Sequence, residues 1–585
     1  MKVHFALAAV LALLTPVAAL DREAFTATYY NLSLRIEPAQ QRLSVRGKIT
    51  LRNDSAQPQR IAALQISSSL NWRSIRVIPA GSPDSTQAVQ FLTQPYTSDI
   101  DHTGELSEAI VNLPRELGPK ESIDLAIGYE GVVALDFTRL TRIGTPETAA
   151  RHSDWDQIGK TYSALRGVGY VTWYPVALEA QNLLDGSAMF AALGKWKARH
   201  ALSKMELGIE LLHGEQDPPE DQPGNQPELL VNAMGCRSNG GDNTNGAFAL
   251  SVCEFENLGW ASPVIVVASF AEPAASALHL HVLAGHTGGA EELNKAADRA
   301  AYLVKDWFGP PREKPVVVDL ADADAAPYEA GEWLLLPLAK SRPETDHMLA
   351  VHQLTHAAFS SPRLWLHEGA AYFMQAVAQE KDGRRAALDY LEGHREALLQ
   401  AEKTGVQPEA LTEATQEAFY HSKAALVWWM LRDLAGDAAL KRALHQYHAA
   451  DDKDATYFEH LIEAESKRDL GWFFHDWVYA DGSLPDFHIE SANARLTNST
   501  SFITAVTVAN GGDAGAEVTV TILTNSGNFP QKLEVRGKAK AVTRIASPAQ
   551  PLEVLVNDGS VPELGPSEHR LKIAGDSKAS DSAKP

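Results

Sequence analysis

The sequence has 585 residues, 45% hydrophobic and 22% charged, with 74 acidic against 52 basic side chains and a formal net charge of −22. A chain of this length exceeds what one hydrophobic core organises and implies three or four domains. The acidic balance, without a basic patch, argues against nucleic acid or anionic lipid as partner and favours solubility.

Residues 1–19 open with Lys2, continue through an apolar run from Phe5 to Leu14, and reach the small residues Val17, Ala18 and Ala19. This is the pattern of a signal peptide, and it implies a periplasmic or secreted protein. An uncleaved anchor is the alternative. The run is short for a membrane span, and no second one follows after signal removal. Asn31, Asn53 and Asn498 stand in glycosylation sequons, which carry meaning only in a eukaryotic secretory host.

From Tyr30 the chain alternates apolar and polar residues (Tyr30, Leu32, Leu34, Ile36, then Leu43, Val45, Ile49, Leu51), the period of half-buried strands. The same style runs on, broken by connections such as Gln216 to Pro219 and the Asn239–Asn245 loop, and predicts a β-rich N-terminal domain over 20–285. Cys236 and Cys253 are the only cysteines. They flank a Ser238-Asn239-Gly240-Gly241 turn and are expected to form a disulfide closing a hairpin in an oxidising compartment.

Near Glu291 the period changes. Leu293, Ala297, Ala300, Val304 and Phe308 share one helical face that Gly309-Pro310-Pro311 stops. Strands are expected at Pro315–Leu320 and around Tyr328–Leu336, then helices to about residue 480, including Lys423–Leu434 and Ala438–Tyr447. Beyond Pro485 alternation returns through Val506, Val508, Val518, Val520 and Ile522, with Asn510-Gly511-Gly512 as a turn signal. The fold class expected is a multidomain α+β chain. Its parts are the N-terminal β-rich domain, a mainly α domain over 286–485, a C-terminal β-sandwich over 486–566 and a disordered polar tail over 567–585.

Chemistry concentrates between Asp346 and Glu380. His352 and His356 are four residues apart in a helical pattern, so both imidazoles leave one face a turn apart. Trp365-Leu366-His367-Glu368-Gly369 opens a second helix whose early carboxylate is a third donor. Two imidazoles and a carboxylate with one open position form the ligand set of catalytic zinc. The bland alternative is an ordinary pair of helix histidines. In HExxH peptidases the residue after the first histidine is a glutamate that moves the proton of metal-bound water. Here it is Gln353, whose amide can orient a water but cannot act as a base.

The HxxxH pair, the WLHEG element, the Tyr420-His421-Ser422-Lys423 segment before a long helix, and Asp469-Leu470-Gly471-Trp472-Phe473-Phe474-His475-Asp476-Trp477-Val478 resemble, in order, the membrane alanyl aminopeptidase family of gluzincin zinc peptidases. The resemblance covers 286–485 and makes this a divergent member with HQxxH in place of HExxH. It implies a thermolysin-like catalytic domain, one Zn²⁺ per chain on His352, His356 and Glu368, and a peptide substrate or ligand. It also implies a phenolic hydrogen donor, which falls at His421 by spacing and at Tyr420 by side-chain type, with Tyr420 preferred. Glu329 or Glu332 would hold the substrate's α-amine. The spacer from His356 to Glu368 is shorter than in typical members, and His367 replaces an asparagine.

Two functions follow as expectations. One is a secreted zinc metallopeptidase of the aminopeptidase N type whose activity is impaired by Gln353. The other is an inactive pseudopeptidase kept for peptide binding or protein interaction.

Overall fold

The computed structural model describes residues 20–82, 85–97, 105–179, 186–212, 227–233, 235–241, 248–271, 276–497 and 501–573. The signal-peptide stretch 1–19, the Gln216–Pro219 connection, Asn243 and Asn245, and the Asn498 sequon lie outside the described residues.

The alternating segments form strands. Phe25–Glu37 pairs antiparallel with Arg42–Asn53, and Tyr30, Leu32, Leu34, Leu43, Val45 and Ile49 are all buried on one face. These two strands lie at the centre of an eight-stranded sheet that is antiparallel except where Phe25–Glu37 runs parallel to Lys204–Leu212. A three-stranded sheet (Gln59–Ser67, Glu105–Leu117, Gln90–Thr97) supplies Leu64, Ile66, Ala109 and Val111 to the same core. Cys236 and Cys253 stand directly opposite each other on neighbouring strands, Cα atoms 4.1 Å apart, joined as a disulfide. Ser238 to Gly241, expected as the turn, continue the strand Gly235–Gly241 instead, because they pair in register with Phe248 to Ser251.

Helix α1 (Gly186–His200) ends against the first strand of this sheet. His200 is 3% exposed, and both ring nitrogens are engaged. Nε2 accepts the Ala27 N–H at 3.2 Å, so Nδ1 carries the proton and donates to the Trp196 carbonyl at 3.0 Å. Burial, followed by Arg199, pushes the imidazole down to about 3.

The middle region is built on a mixed five-stranded sheet ordered Phe270–Ala271, His279–Leu283, Val316–Asp319, Trp333–Leu336, Tyr328–Ala330. His279–Leu283 pairs parallel with Val316–Asp319, so this sheet recruits strands that precede residue 286. Helix α2 (Thr287–Phe308) connects the two, as parallel strands require a crossover, and Gly309 ends it with φ +86°. Helices α3 (Pro343–Ala358), α4 (Leu364–Gln379) and α5 (Arg384–Lys403), a π turn over Ala418–Lys423, and α6 (Ala424–Ala435) follow.

The C-terminal region has two sheets. One is Phe487–Leu496, Phe502–Asn510 and Lys540–Ser547; the other is Gly527–Val535, Ala516–Thr524, Pro551–Val556 and His569–Lys572. Asn510-Gly511-Gly512 is therefore a crossover between sheets, not a hairpin turn, tied by the Asn510 side chain to Gly512 and Ala514. Residues 569–572 form an edge strand paired with Glu553–Val556 where a disordered tail was expected; residues 574–585 lie outside the described residues. Val506, Val518 and Ile522 join the same hydrophobic core as Trp428 and Trp477, so the middle and C-terminal regions share one interior. Among the described residues no helix is long and apolar enough to cross a membrane.

The unfolded chain protonates His200 below about pH 6.5 while the folded chain does not until far lower, so protons favour unfolding. Stability measured by urea denaturation will fall by up to about 1.4 kcal/mol per pH unit as pH drops from 6.5 towards 4 because of this one group. A His200→Gln variant will flatten that part of the profile.

Candidate metal centre

Helix α3 starts on Pro343, whose missing N–H needs no partner there, and the Asp346 carboxylate accepts the Arg342 N–H at 2.8 Å. The helix then runs inward, leaving His352, Gln353 and His356 only 3%, 1% and 1% exposed. Thr355 satisfies its buried hydroxyl on the Val351 carbonyl at 2.7 Å, so no side-chain donor is left unpaired there. The two imidazoles emerge one turn apart with their Nε2 atoms 3.0 Å from each other.

Helix α4 brings Glu368 to the pair. Gly369 permits this approach: a Cβ there would lie 2.7 Å from the buried Trp428 ring and 2.8 Å from the Ala424 Cβ of α6. Glu368 Oε2 stands 4.0 Å from His352 Nε2 and 3.8 Å from His356 Nε2. A circle through these three atoms, with edges of 3.0, 3.8 and 4.0 Å, has a radius of about 2.1 Å, close to the ~2.0–2.1 Å of the circle through three donors of a tetrahedral zinc at bond lengths of about 2.1–2.2 Å. The donor set therefore fits zinc in number, type and spacing.

Glu329 enters from the Tyr328–Ala330 strand. Its Oε2 is 3.2 Å from His352 Nε2 and its Oε1 is 3.2 Å from His356 Nε2, and the Gln353 amide donates to Oε1 at 2.7 Å. Of the two carboxylates expected to bind an amine, only Glu329 reaches the site; Glu332 lies in the exposed turn after the strand. His421 also reaches it, with Nε2 3.4 Å from Glu368 Oε2. Tyr420, the preferred hydrogen donor by type, lies beside it, its ring 4.4 Å from the His421 ring and 6.0 Å from that of Trp260.

Two neighbours were not anticipated from the sequence in these positions. Tyr372 follows Glu368 by one helical turn, packs edge-on to the His352 ring at 4.8 Å, and places its hydroxyl 3.5 Å from His421 Nδ1. The i,i+4 spacing from Glu368 was the signal available for it. His367 lies against His356 with ring centroids 4.1 Å apart.

Charge is arranged around the imidazoles. Burial by itself would raise both carboxyls, yet His352 and His356 drive Glu329 well below its ordinary range, and His356 and His421 hold Glu368 at about 2. Burial opposes charge on His352, but Glu329 and Glu368 outweigh it and raise its pKa. Burial followed by His356 pushes His367 down to about 3, which keeps it neutral. Burial, followed by Glu329 and Glu368, raises the Tyr372 phenol, so it remains a neutral donor across the physiological range.

No family model matches the sequence, and no curated protein sequence does either. Among solved structures, a two-domain M1 zinc metallopeptidase mutant bound to L-arginine is 17% identical with a TM-score of 0.43, covering 76% of this chain and 91% of that one. An M1 zinc metallopeptidase mutant from Deinococcus radiodurans bound to a Tyr-Ser-Ala substrate is 17% identical with a TM-score of 0.45, covering 78% and 94%. An M1 zinc metallopeptidase from the same organism is 16% identical with a TM-score of 0.42, covering 76% and 91%.

Protein refolded or dialysed with zinc will hold about one ion per chain by elemental analysis, and His352→Ala will abolish it. A wild type that stays metal-free in zinc-supplemented buffer overturns the site. Gly369→Ala will cost about 1–3 kcal/mol by thermal denaturation, because the added methyl must displace the Trp428 ring.

Proposed function

We propose that this chain is an exported zinc protein of the gluzincin aminopeptidase type that binds peptides and hydrolyses them at a rate limited by Gln353. The observation that carries this reading is the triangle of His352, His356 and Glu368, whose donors meet zinc's distance requirement from two adjacent buried helices. When bound, zinc polarises a scissile carbonyl and acidifies a water. The chain's own residues surround that chemistry unevenly. His421 and Tyr372, in contact with Glu368 and His352, are the hydrogen-bond donors for a developing oxyanion. Gln353 has no proton-accepting group of the required basicity, and its amide N–H is committed to Glu329.

That commitment favours a second reading, a peptide-binding relative without turnover. A carboxylate held on the histidines by the amide at the base position leaves neither a base nor an unencumbered amine-binding group.

The deciding measurement is hydrolysis of an aminoacyl and short-peptide panel by the zinc-loaded mature chain, beside Gln353→Glu and Gln353→Glu/Glu329→Ala. The first reading expects slow, chelator-sensitive turnover by the wild type and an increase of about 10²–10⁴ in the double variant. Turnover confined to the variants, with peptide binding by the wild type, establishes the second. Absence of both turnover and peptide binding from all three proteins refutes both.

A further inference from the structure

Alternation along the Tyr328–Ala330 strand divides its side chains. Tyr328 and Ala330 pack into the small core shared with Trp155, Tyr162 and Val318, while Glu329 between them projects from the opposite face towards α3. The strand is held in place from its far side. The Tyr328 ring meets Tyr170 edge-on at 5.4 Å, and Tyr170 is in turn covered by the Arg166 guanidinium at 3.3 Å. Glu329 is therefore presented by a supported strand.

Its carboxylate does not project into open space, as recognition of a substrate's amine would require. Both oxygens face the imidazoles, one on each Nε2 at 3.2 Å. Donors that share a tetrahedral zinc at about 2.0–2.1 Å are separated by about 3.3 Å, so Glu329 stands at ligand spacing from both histidines. It is nearer to them than Glu368, whose distances are 3.8 and 4.0 Å. The Glu329 side chain is 32% exposed against 17% for Glu368.

Gln353 explains how this is tolerated. A glutamate at 353 would set a second negative charge within hydrogen-bonding distance of Glu329, and two such carboxylates cannot both remain ionised. The glutamine amide, of the same length, donates to Glu329 Oε1 at 2.7 Å.

Building on the zinc reading above in its second form, without turnover, we propose that Glu329 is a fourth protein ligand, positioned by Gln353, so that a side chain takes the coordination place that catalytic sites leave to water. The site is then His₂Glu₂ and closed. Gln353 is a positioning residue that holds Glu329 on the histidines through its amide N–H.

The test uses the full mature chain loaded with cobalt(II) in place of zinc, as wild type, Glu329→Gln, Glu329→Ala and His352→Ala. Zinc affinity is measured by competition with a chromophoric chelator, and the visible spectrum of the cobalt forms is followed during titration with azide. Circular dichroism checks that each variant is folded. A fourth ligand predicts a wild-type spectrum unmoved by azide, spectral shifts with azide in both Glu329 variants, and zinc affinity at least about 10-fold weaker in them. Azide shifting the wild type as strongly as the variants, with zinc affinity unchanged, overturns the fourth ligand and leaves the three-donor site standing. A wild type that takes up no metal, like His352→Ala, overturns the zinc reading and this inference together.

Discussion

The buried contact between two imidazoles is the constraint that the centre of this molecule answers. His352 and His356 turn their Nε2 atoms towards each other at 3.0 Å with almost no solvent access. Two ring nitrogens that both present lone pairs repel at this distance, so either one carries its ring proton there and donates to the other, or a cation lies between them. The neutral N–H tautomer meets the need with no charge, and a divalent ion would meet it with two carboxylates at hand to balance its charge. Glu329 and Glu368 converge on this point from a strand and a second helix. The surrounding elements serve that convergence: α3 carries the pair, α4 is drawn in by Gly369 against Trp428, and the π turn delivers His421 onto Glu368.

The parts of the site on regular helices were legible in the sequence because helical spacing converts directly into direction. His352, His356 and Glu368 needed only the period of two helices and a feel for which donors suit zinc. The hydrogen donor was harder, since Ala418–Lys423 winds as a π turn. One residue more per turn rotates every later side chain out of α-helical phase, so counting back from Lys423 could not separate Tyr420 from His421. Glu329 and Glu332 could not be ranked because their difference is one of position around a tight turn. The strand places Glu329 inward, whereas Glu332 falls among the turn residues.

The domain plan was legible at the level of period and less so at its seams. Alternation located the strands of the N-terminal sheet, where one face is buried and the other wet. It could not tell that His279–Leu283 hydrogen-bonds to Val316–Asp319, since a strand's sequence does not name its neighbour. The same limit hid the edge strand His569–Lys572. Its sequence carries no buried alternation because Arg570, Leu571 and Lys572 are all exposed, and its stabilisation comes from Glu553–Val556 and from the His569 contact with the buried Glu563.

Glu329 also gives the N-terminal region a part in the site. Arg166, whose backbone N–H reaches Asp156 at 2.6 Å, lies over Tyr170, and Tyr170 braces Tyr328. That chain of contacts ends one residue from the carboxylate on the histidines. Position 353 and position 329 are joined by a hydrogen bond of 2.7 Å from the amide to the carboxylate. A carboxylate at one excludes an ionised carboxylate at the other, and the amide is what permits the strand's glutamate to settle on the two histidines. Glutamine at 353 and glutamate at 329 thus form a single structural choice, made jointly by a helix and by a strand that the N-terminal region holds still.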